Sequence, residues 1–233
     1  MRVFAATVLT LCTLLATPQS ATAQEVIDRG TFRLYREGRV IGEERFVIRS
    51  ERAGDAVVIK AIGSVSLERE GATLQISVAL EASGPELNPT GYQVETTDGG
   101  RQRIAGVVQR GRFLARILSP RGEQLKEYVV SEGALILDEH IAHHHYFLAL
   151  RAARGIGRVP IIVPQRNAQI FAQVEVTGVE STQVGDRAMQ LTHIVLRPQG
   201  EPVRHVWADD RYRVMKVEIP EAQFRAIRIE EER

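Results

Sequence analysis

Cysteine is almost absent from this sequence of 233 residues. The single cysteine, Cys12, lies in an apolar N-terminal stretch that we predict to be removed. The mature chain would then contain no disulfide, no catalytic thiolate and no cysteine-bound metal. Its stability must come from an apolar core, and a hydrophobic content of 44% is sufficient to build one.

The chain also lacks an excess of charge of either sign. It has 30 Lys and Arg residues against 29 Asp and Glu residues, a net charge of +1. Lys60, Lys126 and Lys216 are the only lysines, so arginine carries almost all the positive charge. A balance this even does not give the electrostatic footprint of a nucleic-acid-binding protein, and we predict no nucleic-acid partner.

Hydrophobic runs long enough to span a bilayer are missing as well. The longest apolar stretch, residues 3–16, is shorter than the roughly 20 residues that a transmembrane helix needs. Arg2 before this stretch and the small residues at 21–23 after it are typical of a secretory signal peptide. We predict cleavage before Gln24 and a periplasmic or secreted protein without a transmembrane span. The alternative, a lipoprotein acylated at Cys12, is disfavoured because this cysteine lies inside the apolar stretch.

Most of the remaining sequence consists of short β-branched or aromatic segments separated by glycine-centred turns. In residues 73–82, Leu74, Ile76, Val78 and Leu80 alternate with polar or small residues, which is the period of a half-buried antiparallel strand. Short glycine and aspartate turns between the segments favour hairpins. The predicted strands are residues 31–36, 40–49, 56–67, 73–82, 91–97, 103–109, 112–118, 124–130, 168–179, 187–196, 202–208 and 212–219, with 158–163 as a connecting or edge strand.

One segment, residues 140–154, has a helical pattern instead. Ile141 and Leu148 recur at helical spacing, and Gly155 follows as a stop signal. Asp138 is placed to cap the first turn. We predict one helix here.

These elements predict one mainly β domain over residues 24–233. A meander of about twelve strands is too large to remain flat, so it should form a strongly curved antiparallel sheet or half-barrel. The single apolar helix should then pack on the concave face. No linker divides the chain.

Catalytic motifs are missing from the sequence. There is no nucleophile elbow, phosphate loop or dinucleotide fingerprint, so we predict no catalytic residue and no cofactor. The adjacent Asp209 and Asp210 are predicted to form a hairpin turn rather than an acid–base pair.

Four of the six histidines are clustered in residues 140–145. On a helix His140 and His144 would share one face, as two ligands of a zinc site do. The glutamate that follows the first histidine in a hydrolytic zinc helix is absent. We therefore predict no metal and interpret the histidines as neutral packing groups, with His143 and His145 partly in solvent. A metal-dependent hydrolase is the less favoured alternative.

The opening and closing hairpins resemble those of uncharacterised exported bacterial proteins. Residues 31–46 contain the pattern Ile-Gly-x-Glu-x-Phe, and residues 202–220 contain the second hairpin, Trp-Ala-Asp-Asp-Arg-Tyr-Arg-Val. Such families carry a domain-of-unknown-function label. At the level of fold, a curved sheet with one helix is similar to periplasmic lipoprotein carriers of the LolA/LolB type, which hold acyl chains between sheet and helices.

The expected function is binding of an apolar or lipid-like, amphipathic ligand. A curved sheet of this many strands encloses more space than one helix fills, and no polar catalytic constellation is evident. The alternative is an interaction module of the cell envelope, with a filled core and a protein partner. The expected ligand-binding residues are Leu74, Ile76, Val78, Leu80, Tyr146, Phe147, Leu148, Leu150 and Trp207.

Overall fold

The structure, a computed structural model, describes residues 24–54, 56–69, 71–97 and 100–229. The predicted signal peptide, residues 1–23, lies outside the described residues. Among the described helices, none is long and apolar enough to cross a membrane. The described elements are β1 (Glu25–Arg36), β2 (Arg39–Ala53), β3 (Ala56–Arg69), β4 (Ala72–Ser83), β5 (Asn88–Thr96), β6 (Gln102–Gln109), β7 (Arg112–Ser119), β8 (Gly122–Val129), β9 (Leu135–Ile136), α1 (His145–Ala153), β10 (Arg158–Val163), β11 (Ala168–Val184), β12 (Arg187–Pro198), β13 (Arg204–Ala208), β14 (Val214–Ile219) and β15 (Phe224–Ile229), with short 3-10 turns at Pro164–Arg166 and Pro220–Ala222.

The strands form one 15-stranded sheet in the order β8-β7-β6-β5-β4-β3-β2-β1-β15-β14-β13-β12-β11-β10-β9. The first and last strands, β1 and β15, are antiparallel neighbours near the centre of this order. From them each half of the chain runs outward as a meander of antiparallel strands, except that β9 pairs in parallel with β10 and is connected to it through α1. Tight turns make this possible, as at Glu37 and Gly38, whose φ angles of 52° and 78° suit a two-residue hairpin turn.

The predicted fold class is confirmed, and the sheet has fifteen strands rather than about twelve. All twelve predicted segments are strands, and residues 158–163 form β10 beside the edge strand β9. The alternation of apolar and polar residues does not indicate β9, because a strand of two residues is too short to show a period. It also misses β15, where inward Phe224 and Ala226 alternate with Arg225 and Ile227, and where a second arginine, Arg228, takes the next inward position.

Side chains join the edge strand β8 to β11, which lies near the opposite edge of the sheet. The Gln169 amide on β11 donates from Nε2 to the Val129 carbonyl of β8 at 2.6 Å, and its Oε1 accepts from the Val129 amide at 3.3 Å. Tyr128 donates from Oη to Asn167 Oδ1 at 2.9 Å. Gln169 therefore takes the place of a pairing strand at this part of the β8 edge.

The apolar core lies inside the curved sheet, with α1 in its midst. Ile76, Val78 and Leu80 of β4 belong to the same buried cluster as Phe147 and Leu148 of α1. Seven of the nine helix residues are buried, which is typical of a helix enclosed by a core. α1 contacts β11, β13 and β14.

The helix begins later than predicted, at His145 rather than residue 140. The Glu44 carboxylate accepts the backbone N–H groups of Ala142 at 2.7 Å and His143 at 3.4 Å, and these bonds hold the preceding residues in turns. The predicted cap, Asp138, is wrong, because the helix starts beyond it with no side-chain cap at all. A shared helix face for His140 and His144 is wrong for the same reason.

Candidate functional site

A cavity of about 320 Å³ lies at one end of the curved sheet, where the turns after β1, β10, β12 and β14 meet. We call it the end cavity. The chain between β9 and α1 crosses this end and supplies part of its lining. The apolar lining residues are Ile141, Ala142, Pro202, Val217, Ile219, Ala222 and Phe224. The polar lining residues are Arg36, Asp138, Glu139, His140, His145, Arg166, Glu201 and Arg204.

Arg204 is the deepest cation of the end cavity. It opens β13, shares the inward register of the core residues Val206 and Ala208, and is only 6% exposed. Burial lowers the pKa of its guanidinium, and the positive charge of Arg166 lowers it further. An arginine does not lose its proton in proteins, so the buried charge persists.

Arg166 has its own anionic partners. Its Nη1 donates to Glu201 Oε1 at 2.8 Å, and its Nε lies 3.2 Å from Glu139 Oε1. The hydrogen bond to Glu201 raises the pKa of Arg166. Both acidic side chains are thus engaged by Arg166.

Asp138 is a buried carboxyl group in the lining. Desolvation raises its pKa to about 7, although hydrogen bonds from the Tyr92 hydroxyl and the Gln165 backbone N–H favour the ionised form. The Tyr92 Oη to Asp138 Oδ2 distance is 2.5 Å, and the Gln165 N to Asp138 Oδ1 distance is 3.0 Å. The group therefore titrates near neutral pH.

His145 lines the same cavity as a neutral imidazole. Burial, followed by the charge of Arg204, lowers its pKa to about 3. Its Nδ1 lies 3.0 Å from the Ala142 carbonyl oxygen, which can only accept, so we assign the proton to Nδ1. Nε2 is then an acceptor, and it is buried with no hydrogen-bond partner among the described residues.

A second polar group, the buried histidine cluster of Glu44, His143 and His144, lies deeper in the core. All three side chains are at most 1% exposed, and His143 Nδ1 is 2.5 Å from Glu44 Oε1. Burial lowers the pKa of His144 well below its usual value. A carboxylate bonded to an imidazole is also part of a catalytic triad, in which the other ring nitrogen contacts the nucleophile. Here no described side chain bonds to that nitrogen, His143 Nε2.

The expectation that His143 and His145 point partly to solvent is wrong. They are 1% and 3% exposed, because the turn before α1 carries them into the core. Among the described residues, no group of three or more His, Asp, Glu or Cys side chains converges as metal ligands do.

The predicted ligand-binding residues are not those of the end cavity. Leu74, Ile76, Val78, Leu80, Tyr146, Phe147, Leu148 and Leu150 belong to or pack against the main core cluster, and none of them lines the end cavity.

Trp207 lies apart from the others, on the outer face of the sheet with Val184 and Leu191. His193 of β12 stacks on its ring with centroids 4.6 Å apart, and Lys216 of β14 lies 4.6 Å from the ring centroid. His193 and Lys216 are the residues paired with Trp207 on the two neighbouring strands, so both faces of its ring are already occupied.

Sequence reasoning missed Arg204, Arg166 and Glu44 as site residues. Two of them leave a signal in the alternation of their strands. Glu44 shares the inward register of Phe46 and Ile48, and Arg204 that of Val206. A charged residue in an otherwise apolar register is the pattern that could have found them.

The comparisons with known proteins give likeness of fold. No family model matches the chain, and no curated protein matches it. A β-barrel-like protein of domain of unknown function DUF1849 from Brucella abortus is similar with a TM-score of 0.47 and 9% identity, covering 87% of this chain and 95% of that chain. A DUF1089 family protein from Pseudomonas aeruginosa has a TM-score of 0.42 and 12% identity, covering 92% and 97%.

Proposed function

We propose that this protein binds a small amphipathic molecule in the end cavity. The observation that carries the proposal is a lining that combines apolar side chains with buried polar groups. Val217, Ile219 and Phe224 offer an apolar surface for a hydrocarbon chain, and the buried Asp138, His145 and Arg204 line the same cavity. Ligand sites are concave, mostly apolar and supplied with a few placed polar groups, and about 300 Å³ is the lower end of their usual volume.

The proposal keeps the expected class of ligand and moves its site. The residues first expected to bind it, such as Ile76, Leu80 and Leu148, are packed into the core cluster that also contains the buried residues of α1. A close-packed core of this kind leaves a ligand no space without displacement of side chains. The end cavity already has that space.

The signal-peptide pattern supports a further part of the proposal, that the ligand is bound outside the cytoplasm. Residues 1–23 have the charge, apolar stretch and small-residue site of an exported chain. The mass of the exported protein checks this, since a mature chain that begins at Gln24 is expected.

A cavity-filling variant tests the site. Val217 lines the end cavity and is 1% exposed, so Val217→Phe should occupy the space of the ligand. In the purified full chain, we expect a fluorescent fatty acid to bind the wild type and to bind this variant at least about ten-fold more weakly, as one steric clash of about 1.4 kcal/mol suffices for that change.

Val65→Phe is the matched control. Val65 is 0% exposed in the core and does not line the cavity. Overpacking there should lower the free energy of unfolding by about 1–3 kcal/mol and leave the affinity of the folded protein unchanged. Failure of the wild type to bind any fatty-acid or alkyl-phosphate probe, or equal binding by Val217→Phe, contradicts the proposed site.

A further inference from the structure

The end cavity contains one buried cation that no described side chain balances by direct contact. Arg204 is 6% exposed, and its guanidinium makes no hydrogen bond or ion pair with any described residue. Burying an unpaired charge is strongly unfavourable. None of its nitrogen atoms is among the fully buried atoms without a partner in the described part of the chain, so its donors reach the space of the end cavity, where a bound group could accept their hydrogen bonds.

The neighbouring acidic groups are committed elsewhere. Glu139 and Glu201 both contact Arg166. Asp138 accepts from Tyr92 and from the Gln165 amide. These carboxylates act on Arg204 only through space, and the charge of Arg166 opposes them.

A buried arginine with a structural role looks different in this molecule. Arg151 is 1% exposed, and its guanidinium donates to two carbonyl oxygens, that of Gly133 at 3.3 Å and that of Leu87 at 3.1 Å. It also lies 3.8 Å from the Glu86 carboxylate. The protein itself accepts hydrogen bonds from the Arg151 guanidinium, whereas the N–H donors of Arg204 border the end cavity.

We infer that Arg204 is the binding site for an oxyanion, the carboxylate or phosphate head group of the amphipathic ligand. The inference rests on the proposed function and names the class of its ligand. The planar fork of a guanidinium donates two parallel hydrogen bonds to such groups. The hydrocarbon chain of the ligand would lie along Val217, Ile219 and Phe224. His145 is neutral and already donates to a carbonyl, so it adds no positive charge beside Arg204.

Calorimetric titration of the full chain with three probes of equal chain length tests the inference. We expect decanoate or decyl phosphate, or both, to bind, and decanol to bind at least about thirty-fold more weakly than the better anion, because loss of one partner from a buried charge pair has an effect of that order. The preferred anion then distinguishes a carboxylate ligand from a phosphate ligand.

Arg204→Met should remove this preference, so that the better anion binds no more tightly than decanol. The matched control is Arg39→Gln, which removes one positive charge at the β1–β2 turn, at the same end of the sheet but outside the cavity lining. We expect the control to retain the affinity for the anions within about two-fold, since exposed charges contribute little.

Thermal unfolding separates a binding role from a structural one. Without ligand, Arg204→Met should unfold at the same temperature as the wild type or higher, because it removes an unpaired buried charge. Arg151→Met should unfold at a lower temperature, because it breaks hydrogen bonds to the backbone. A lower unfolding temperature for Arg204→Met overturns the inference.

The outcomes also separate the inference from the proposed function. Decanol binding as tightly as both anions overturns the oxyanion site and leaves the binding of an amphipathic molecule in place. Binding of none of the three probes overturns both. An equal loss of anion affinity in Arg204→Met and Arg39→Gln also overturns the inference, because general surface charge would then account for the affinity.

Discussion

The ionisable side chains at the end cavity are held in states that water would not favour. Asp138 has a pKa of about 7, His145 has a pKa of about 3, and Arg204 carries a buried charge. Desolvation is the largest cause of the pKa shift in each. Perturbed groups that gather in a cleft are typical of binding and catalytic sites, and here all three line the end cavity.

Asp138 should make the stability of the protein depend on pH. Its pKa is about 7 in the folded protein and about 3.9 in the unfolded chain, so between these values the folded state binds more protons. The free energy of unfolding should therefore fall as pH rises from about 4 to about 7, by on the order of 4 kcal/mol from this group. Asp138→Asn, which resembles the protonated acid, should abolish that fall.

Urea unfolding of the wild type and Asp138→Asn at about pH 4 and about pH 8 provides the measurement. We expect the variant to gain stability relative to the wild type at the higher pH, since the difference between the two proteins cancels the other titrating groups. An equal difference at the two pH values would show that the pKa of Asp138 is not raised in the folded protein.

At the scale of elements, local alternation predicts every described strand except β9 and β15, and it does not predict where the helix starts. A strand shows its period within its own residues, and all twelve predicted strands exist. The start of α1 depends on Glu44, which is 98 residues from Ala142 in sequence. The site could not be predicted for the same reason. The end cavity joins turns from distant strands, and no local pattern brings Arg36, Asp138 and Arg204 together.

Gly63 of β3 allows the buried histidine cluster to approach the sheet. A Cβ at this position would lie 2.6 Å from His143 Cε1, and the bond to Glu44 restrains that ring from moving away. Gly63→Ala should lower the free energy of unfolding by about 1–3 kcal/mol through overpacking. Chemical denaturation measures the loss.

Gly91→Ala is the control for this prediction. Gly91 is also a strand glycine, in β5, but the nearest atom to an added Cβ is Glu81 Oε2 at 3.5 Å, an ordinary contact. The substitution should be neutral or slightly stabilising, because alanine lowers the entropy of the unfolded chain. If Gly63→Ala and Gly91→Ala are equally stable, the close packing of His143 on β3 is not the reason for a glycine at position 63.

At the scale of the whole molecule, the two halves of the chain form one curved sheet and share the end cavity. β1 and β15 join the halves, and Gln169 links the β8 edge to β11. Arg36 reaches the cavity from the first half of the chain, and Val217 and Phe224 reach it from the second. A ligand there would contact both halves and should stabilise the sheet as a whole.

Methyl NMR of the isotopically labelled full chain, titrated with decanoate, tests the location of the ligand most directly. The methyl groups of Ile141, Val217 and Ile219 line the end cavity, so their resonances should shift as decanoate is added. The methyl groups of Ile76 and Leu80 lie in the packed core and should not shift. Shifts confined to the core methyl groups, or no shifts at saturating decanoate, would contradict binding in the end cavity.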